Sequence, residues 1–253
     1  RQSVVHEPQD GDILNPEVVL FYQSQLLSES MSQIEPSRPG LSDLYLLSFG
    51  GDSHQEVFMN EALYTTALFE TMFGMLNRTM DLIKHPAFVN EVPIASVINL
   101  RVALQYIASK MDVEEDILFL YLTSHGSKEH TLTVSLGGVP LVDLPAETLA
   151  EVLKESGIKW KVIAISACYS GGFIDYLKDD YSMVMTSARA DRTSFGCSDD
   201  SEMTYFGRAF FQYALDASSA FSEAFVKAKE IVSSWENEND FVHSEPQIHS
   251  SPL

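Results

Sequence analysis

A thiol and an imidazole carry the reactive chemistry of this sequence. Cys168 lies in WKVIAISACYSGGF, residues 160–173, and His125 in LFLYLTSHGS, residues 118–127. In both segments an apolar run stops at a reactive side chain set among small residues. A free thiol is mostly protonated at neutral pH, since its reference pKa is about 8.5. It becomes a strong nucleophile when a base takes that proton. An imidazole can do so and can later return the proton to a leaving amine. The backbone N–H groups of Gly126 and Cys168 are candidates for stabilising the oxyanion formed when the thiol attacks a carbonyl. Taken singly, a cysteine after an apolar strand is usually a packed small hydrophobe. Two such residues at paired strand ends point to a nucleophile and its base.

The flanking sequence supplies elements able to hold them. The runs LYLLSF (44–49), Ile117–Thr123, Lys161–Ser166 and Tyr181–Ser187 are short and almost wholly apolar, as in parallel strands buried on both faces. A weaker strand is expected at 80–84. Helical spacing of apolar residues predicts helices over Pro16–Met31, 55–77, Ala95–Met111, Pro145–Glu155, Met203–Leu215 and Ser218–Trp235. Gly157 stops the fourth of these. TLTVSLGGVPLVDL, 131–144, reads as a β-hairpin around Gly137-Gly138. The alternation predicts an α/β fold, a largely parallel sheet with helices on both faces and a β-hairpin insertion. Ligand sites in such sheets lie beyond the carboxyl ends of the strands, where His125 and Cys168 both fall. The expected organisation is a polar arm over 1–15, one domain over 16–235 and an irregular polar tail over 236–253.

The 253 residues, 45% of them apolar, suffice for one substantial core. With 16 basic and 36 acidic residues the net charge is −20, which argues against nucleic acid or an anionic lipid surface as partners. No apolar run reaches the roughly 18 residues of a membrane span. The first residue is Arg1, and a signal peptide, a membrane anchor or a cloning boundary upstream would each account for it. Two cysteines form no disulfide framework. Cys197 is open to three readings: a disulfide partner, a resolving thiol for oxidised Cys168, or a packed thiol. His243, Glu245 and His249 match no metal-ligand spacing, and no phosphate-binding glycine loop is present. No metal or cofactor is expected.

The two segments resemble the clan that includes caspases, gingipains and legumains, in which one strand ends in His-Gly and a later one in Ala-Cys or Gly-Cys. The closer resemblance is to the legumain-type family of cysteine peptidases, through Ala167-Cys168-Tyr169-Ser170-Gly171 and the intervening hairpin. Further stretches, SDLYLLSFGGD, MTSARADRTSFGCSD, TYFGRAF and SEPQI, resemble a bacterial subgroup. Its members often follow an amino-terminal membrane segment, which implies export or a membrane tether, with the cytoplasm as the alternative. The resemblance implies a caspase-like fold and peptide or protein substrates. It also implies hydrolysis through a thioester on Cys168, with His125 as base and acid and Gly126 at the oxyanion. A transamidase using the same thioester, and a non-catalytic peptide-binding module, stand as alternatives.

The chain departs from that family at the substrate pocket. Ser124 stands where many legumains have Asp, Ser53-His54 where they have Arg-His, and Ser166 where they have Glu. Asparagine specificity therefore does not transfer. The pocket candidates are Asp52, His54, Ser166 and Ser194, the last matching a pocket-wall serine of the family. Asp52 is also a candidate to orient His125, or a turn residue after Gly50-Gly51. Arg189, Asp191 and Arg192, in the loop before Ser194, either select substrate charge or pair with one another.

Overall fold

The computed structural model describes residues 15–139, 141–198 and 201–251; the expected arm over 1–15 lies almost wholly outside them. A six-stranded sheet runs through the molecule. Its strands are β1 (Leu44–Gly50), β2 (Thr79–Ile83), β3 (Ile117–Thr123), β6 (Trp160–Ser166), β7 (Ser182–Thr186) and β8 (Gln247–Ser250). A separate small ladder is formed by β4 (Thr131–Leu132) and β5 (Leu144–Pro145). The order in the sheet is β2-β1-β3-β6-β7-β8, parallel throughout except for β8, which runs antiparallel to β7.

Both faces of the central strands are apolar, and the period of two sorts them. Leu47, Phe49, Leu118, Leu120, Leu122, Ile163 and Ile165 face one core. They pack against Leu100, Leu104 and Ile107 of α3 (Val97–Lys110) and Leu149, Val152 and Leu153 of α4 (Ala146–Ser156). Leu46, Phe119, Tyr121, Val162 and Ala164 face the other core, against Phe69 of α2 (Glu56–Met72) and Ala224, Phe225, Ala228 and Val232 of α7 (Phe221–Glu238). The first helix, α1 (Pro16–Ser32), packs on α3. The two remaining short helices are α5 (Ile174–Leu177) and α6 (Tyr205–Gly207). Gly157 ends α4 in the left-handed conformation, φ 71°, as a glycine stop should.

Four expectations are corrected. The helix expected over 55–77 ends at Met72, and Phe73 lies exposed beyond it. The helix expected over 203–215 is one α-turn followed by a π-helix, Arg208–Ala214. The hairpin is confined to two residue pairs, with an isolated bridge between Leu136 and Val139 around the glycine pair. The tail is not irregular throughout: Gln247–Ser250 forms the edge strand β8. Among the described residues no helix is long and apolar enough to cross a membrane.

Candidate active site

Strand register is what gathers the site. Gly50 is paired with Thr123, and Thr123 with Ser166, so β1, β3 and β6 end level. Asp52, His125 and Cys168 each lie two residues past that line, on one rim at the carboxyl edge. The ladder continues briefly beyond the strands, Gly51 N donating to Thr123 O at 3.0 Å and Ser124 N to Ser166 O at 3.2 Å.

His125 is half-buried with its ring edge-on to Phe58, centroids 4.9 Å apart. Its carbonyl accepts from Thr133 N at 2.9 Å, and Ser127 N donates to Thr131 O at 3.0 Å. These bonds flank the Gly126–Leu132 bridge in the pattern that turns the Gly126 N–H away from its partner strand. That N–H has no protein acceptor among the described residues, and the N–H of Cys168 has none beyond its own thiol. Gly126 is required for space. A Cβ there would overlap the carbonyl oxygen of Cys168 and stand 3.2 Å from the Ala167 Cβ. The obstruction is to the nucleophile's own peptide.

Cys168 is half-buried. Its Sγ accepts from Ser194 N at 3.3 Å and lies 3.6 Å from Ser194 O. Burial pushes the thiol pKa up, and the Ser194 amide pulls against it. Cys168 leaves the strand because Tyr169 takes the left-handed conformation, φ 58°, with its N–H donating to Arg192 O at 2.7 Å. For a residue with a side chain that conformation costs on the order of 1–3 kcal/mol and persists only where the surroundings impose it. The buried hydroxyl of Ser187 braces the turn from β7, accepting from Ala167 N at 2.9 Å and lying 3.0 Å from Ala167 O, 3.2 Å from Ser194 Oγ and 3.4 Å from Ser170 Oγ.

The expected pocket residues divide. Ser194 stands against the thiol. Asp52 does not orient His125: its Oδ1 accepts from His54 N at 2.7 Å and lies 2.9 Å from His54 Nδ1. The Asp52 side chain is 4% exposed and that of His54 65%, so of the two only the imidazole is presented to solvent. The His125 ring has no hydrogen-bond partner among the described residues. Ser166 is 1% exposed and bonds Thr204 Oγ1 at 2.8 Å, because strand alternation turns it to the α2 face; it cannot touch a peptide at the rim. Arg189 is engaged by Asp191 and Glu245, at 2.5 and 2.6 Å, and Arg192 lies 3.8 Å from Glu245. Arg189 N also donates to Ser244 O at 2.8 Å. Cys197 is a free, half-buried thiol, its pKa raised by burial first and then by Cys168.

Three residues of this region escaped the sequence reading. Ser187 was legible only as the last residue of a strand. Lys84 is fully buried with no hydrogen-bond partner for Nζ among the described residues, and burial pushes its pKa down to about 7 against the pull of Asp52 and Asp143. Glu61 is fully buried on α2. Its signal was a lone acid on the buried stripe of that helix, four residues after Val57 and four before Thr65.

The model of the Peptidase C13 family matches residues 103–251, a stretch containing both His125 and Cys168. Among solved structures, the chain is similar to caspase-1 from Spodoptera frugiperda. The identity is 13%, the TM-score 0.55, and the match covers 83% of this chain and 86% of that one. At that identity the likeness speaks for the fold, which is caspase-like. No curated protein matches the chain.

Proposed function

The chain belongs to the Peptidase C13 family, and from that premise we propose that it cleaves peptide bonds through a thioester on Cys168, with His125 as general base and acid. Membership makes it a cysteine peptidase in general terms; the assignment of steps to residues is our reading. The observation that carries it is the level ending of β3 and β6, which sets an imidazole and a thiol on one rim, beside two N–H groups that no other described residue accepts from.

His125 takes the Cys168 proton as sulfur attacks the scissile carbonyl. The oxyanion that forms accepts hydrogen bonds from the N–H groups of Gly126 and Cys168. Collapse of the adduct breaks the C–N bond, and His125 hands its proton to the departing amine. Water, deprotonated by the same imidazole, then attacks the thioester and releases the acid and the thiol. A raised thiol pKa suits this sequence, because the proton is still on sulfur when substrate arrives. The Ser194 N–H at 3.3 Å steadies the negative charge that sulfur gains as the proton leaves, and again on its release.

Turnover of fluorescently labelled casein and labelling of Cys168 by iodoacetamide test the reading together. Cys168→Ala is expected to abolish both while leaving the melting temperature close to that of the parent chain. Full hydrolysis by that variant would sink the proposal. Adding hydroxylamine separates hydrolysis from transfer: hydroxamate as the main product would make the enzyme a transamidase on the same thioester.

A further inference from the structure

Beneath the rim lies a carboxylate that the proposed chemistry does not use. Glu61 is buried on α2, against β3, the strand that ends before His125. Its Oε1 accepts from Tyr121 Oη on β3 and from Thr204 Oγ1 at 2.9 Å; its Oε2 accepts from Thr204 N at 3.1 Å and lies 3.5 Å from Thr123 Oγ1. The remaining bonds of Thr204 complete a directed chain. Since its hydroxyl proton is given to Glu61, Thr204 Oγ1 accepts from Ser166 Oγ at 2.8 Å and from Gly207 N at 3.0 Å. Gly207 must be glycine here, because a Cβ would overlap the Glu61 carboxylate.

One buried group thus ties α2 to β3 two residues before His125 and to Thr204, and through Thr204 to β6 two residues before Cys168; next to Thr204, Tyr205 N donates at 3.0 Å to the carbonyl of Phe195, the neighbour of Ser194. We propose that Glu61 is a positioning residue whose ionised carboxylate sets the spacing of the two dyad strands and holds the Ser194 amide on the Cys168 thiol. This rests on the peptidase reading above.

The physical reason is donor direction. An ionised carboxylate is acceptor-only, so every surrounding proton points at it. A protonated or amide side chain must itself donate, which reverses at least one hydroxyl in the chain and loosens Ser166 or Tyr121. Burial raises the Glu61 pKa to about 7, so this reversal falls in an accessible pH range. The titratable groups facing it are the Tyr121 phenol from β3 and the Cys197 thiol from the loop; Thr123, Ser166, Thr204 and Gly207 contribute only neutral groups.

The test is Glu61→Gln in the whole chain, with casein turnover and Cys168 alkylation followed from pH 5 to 9. Expected is a fall in kcat of about tenfold to hundredfold, the scale of a sub-ångström to ångström misplacement, with KM changed less than about threefold. The acid limb of the parent kcat profile should show two ionisations and that of the variant one, a difference that lost stability alone does not produce. Thr204→Ser, which keeps every bond, should retain parent turnover, and Thr204→Val should resemble Glu61→Gln. An unchanged kcat and acid limb in Glu61→Gln would overturn the role; should that variant fail to fold, equal turnover by Thr204→Val and Thr204→Ser would do the same. A parent chain that neither cleaves casein nor labels at Cys168 would overturn the peptidase reading, and this role with it.

Discussion

Gly126→Ala separates the oxyanion donors from the nucleophile. The φ of Gly126 is outside the left-handed region, so alanine can adopt its backbone conformation without conformational strain. What the methyl meets is the Cys168 carbonyl oxygen, which it overlaps, with the carbonyl carbon at 3.1 Å and the Ala167 Cβ at 3.2 Å. Ordinary contact with that oxygen requires the 125–127 turn or the Cys168 peptide to move by on the order of 1 Å, a displacement that alone costs about 10²-fold. Either movement separates the two N–H groups from a common oxygen. Loss of one such donor costs about 2.7–4 kcal/mol, or 10²–10³ in kcat. The thiol keeps its Ser194 contact, so alkylation should change far less than turnover. The assay pairs kcat on labelled casein with the second-order rate of iodoacetamide labelling at Cys168, read by mass spectrometry. A variant within threefold of the parent in kcat would refute the oxyanion assignment. Equal loss in both rates would instead mean that the methyl had displaced the thiol.

His125→Asn should lower kcat by about 10²–10⁴-fold, as removal of a general base does, with KM little changed; stopped-flow and steady-state assays both read this. Because burial raises the Cys168 thiol pKa, the alkylation rate should still be climbing at pH 8.5, and a plateau near pH 7 would contradict it. Ser187→Ala leaves the buried Ala167 N–H without its acceptor, at about 1–3 kcal/mol, and calorimetry should show a melting temperature lower by about 2–4 °C for each of those kcal/mol. Two buried groups give opposite stability slopes. The raised Glu61 pKa means stability present below the ordinary carboxylate range and lost as pH rises through about 7. Urea titrations should therefore show Glu61→Gln gaining on the parent up to that pH and holding level above it. The lowered Lys84 pKa means a charging penalty that is full below about 7 and relieved towards the ordinary lysine range, so Lys84→Met should lose its advantage as pH rises above 7.

The central strands and the rim were legible because their signal is local. Ile117–Thr123 and Trp160–Ser166 are largely apolar, and each ends in a small polar residue two positions before its reactive group. Their mutual register was not legible, yet it is what sets His125 beside Cys168. The polar edge strand β8, Gln-Ile-His-Ser, has no apolar run and exists through pairing with β7. Asp52 looked like the third member of a triad by position after β1, but a histidine two residues away in sequence captured its carboxylate. Ser166 was near the thiol in sequence and is turned from it by strand alternation. Glu61 and Ser187 act through contacts with residues 143 and 20 positions distant, which no local pattern announces.

The placement of β8 bears on when the site can exist. Ser244 and Glu245, leading into that strand, hold Arg189 and Arg192 in the turn before Ser194. On the same rim, Asp52 and Ser135 are joined by a bridge. Partners so far apart along the chain raise the contact order of this region above that of the helices, and long-range pairings form after local ones. On a ribosome, Cys168 emerges well before the segment that closes its surroundings. Until residues 244–250 arrive, Arg189 and Arg192 lack the contacts that hold the turn before Ser194. A chain stalled short of them would carry His125 and Cys168 on their paired strands and still lack the contacts that fix the turn before Ser194.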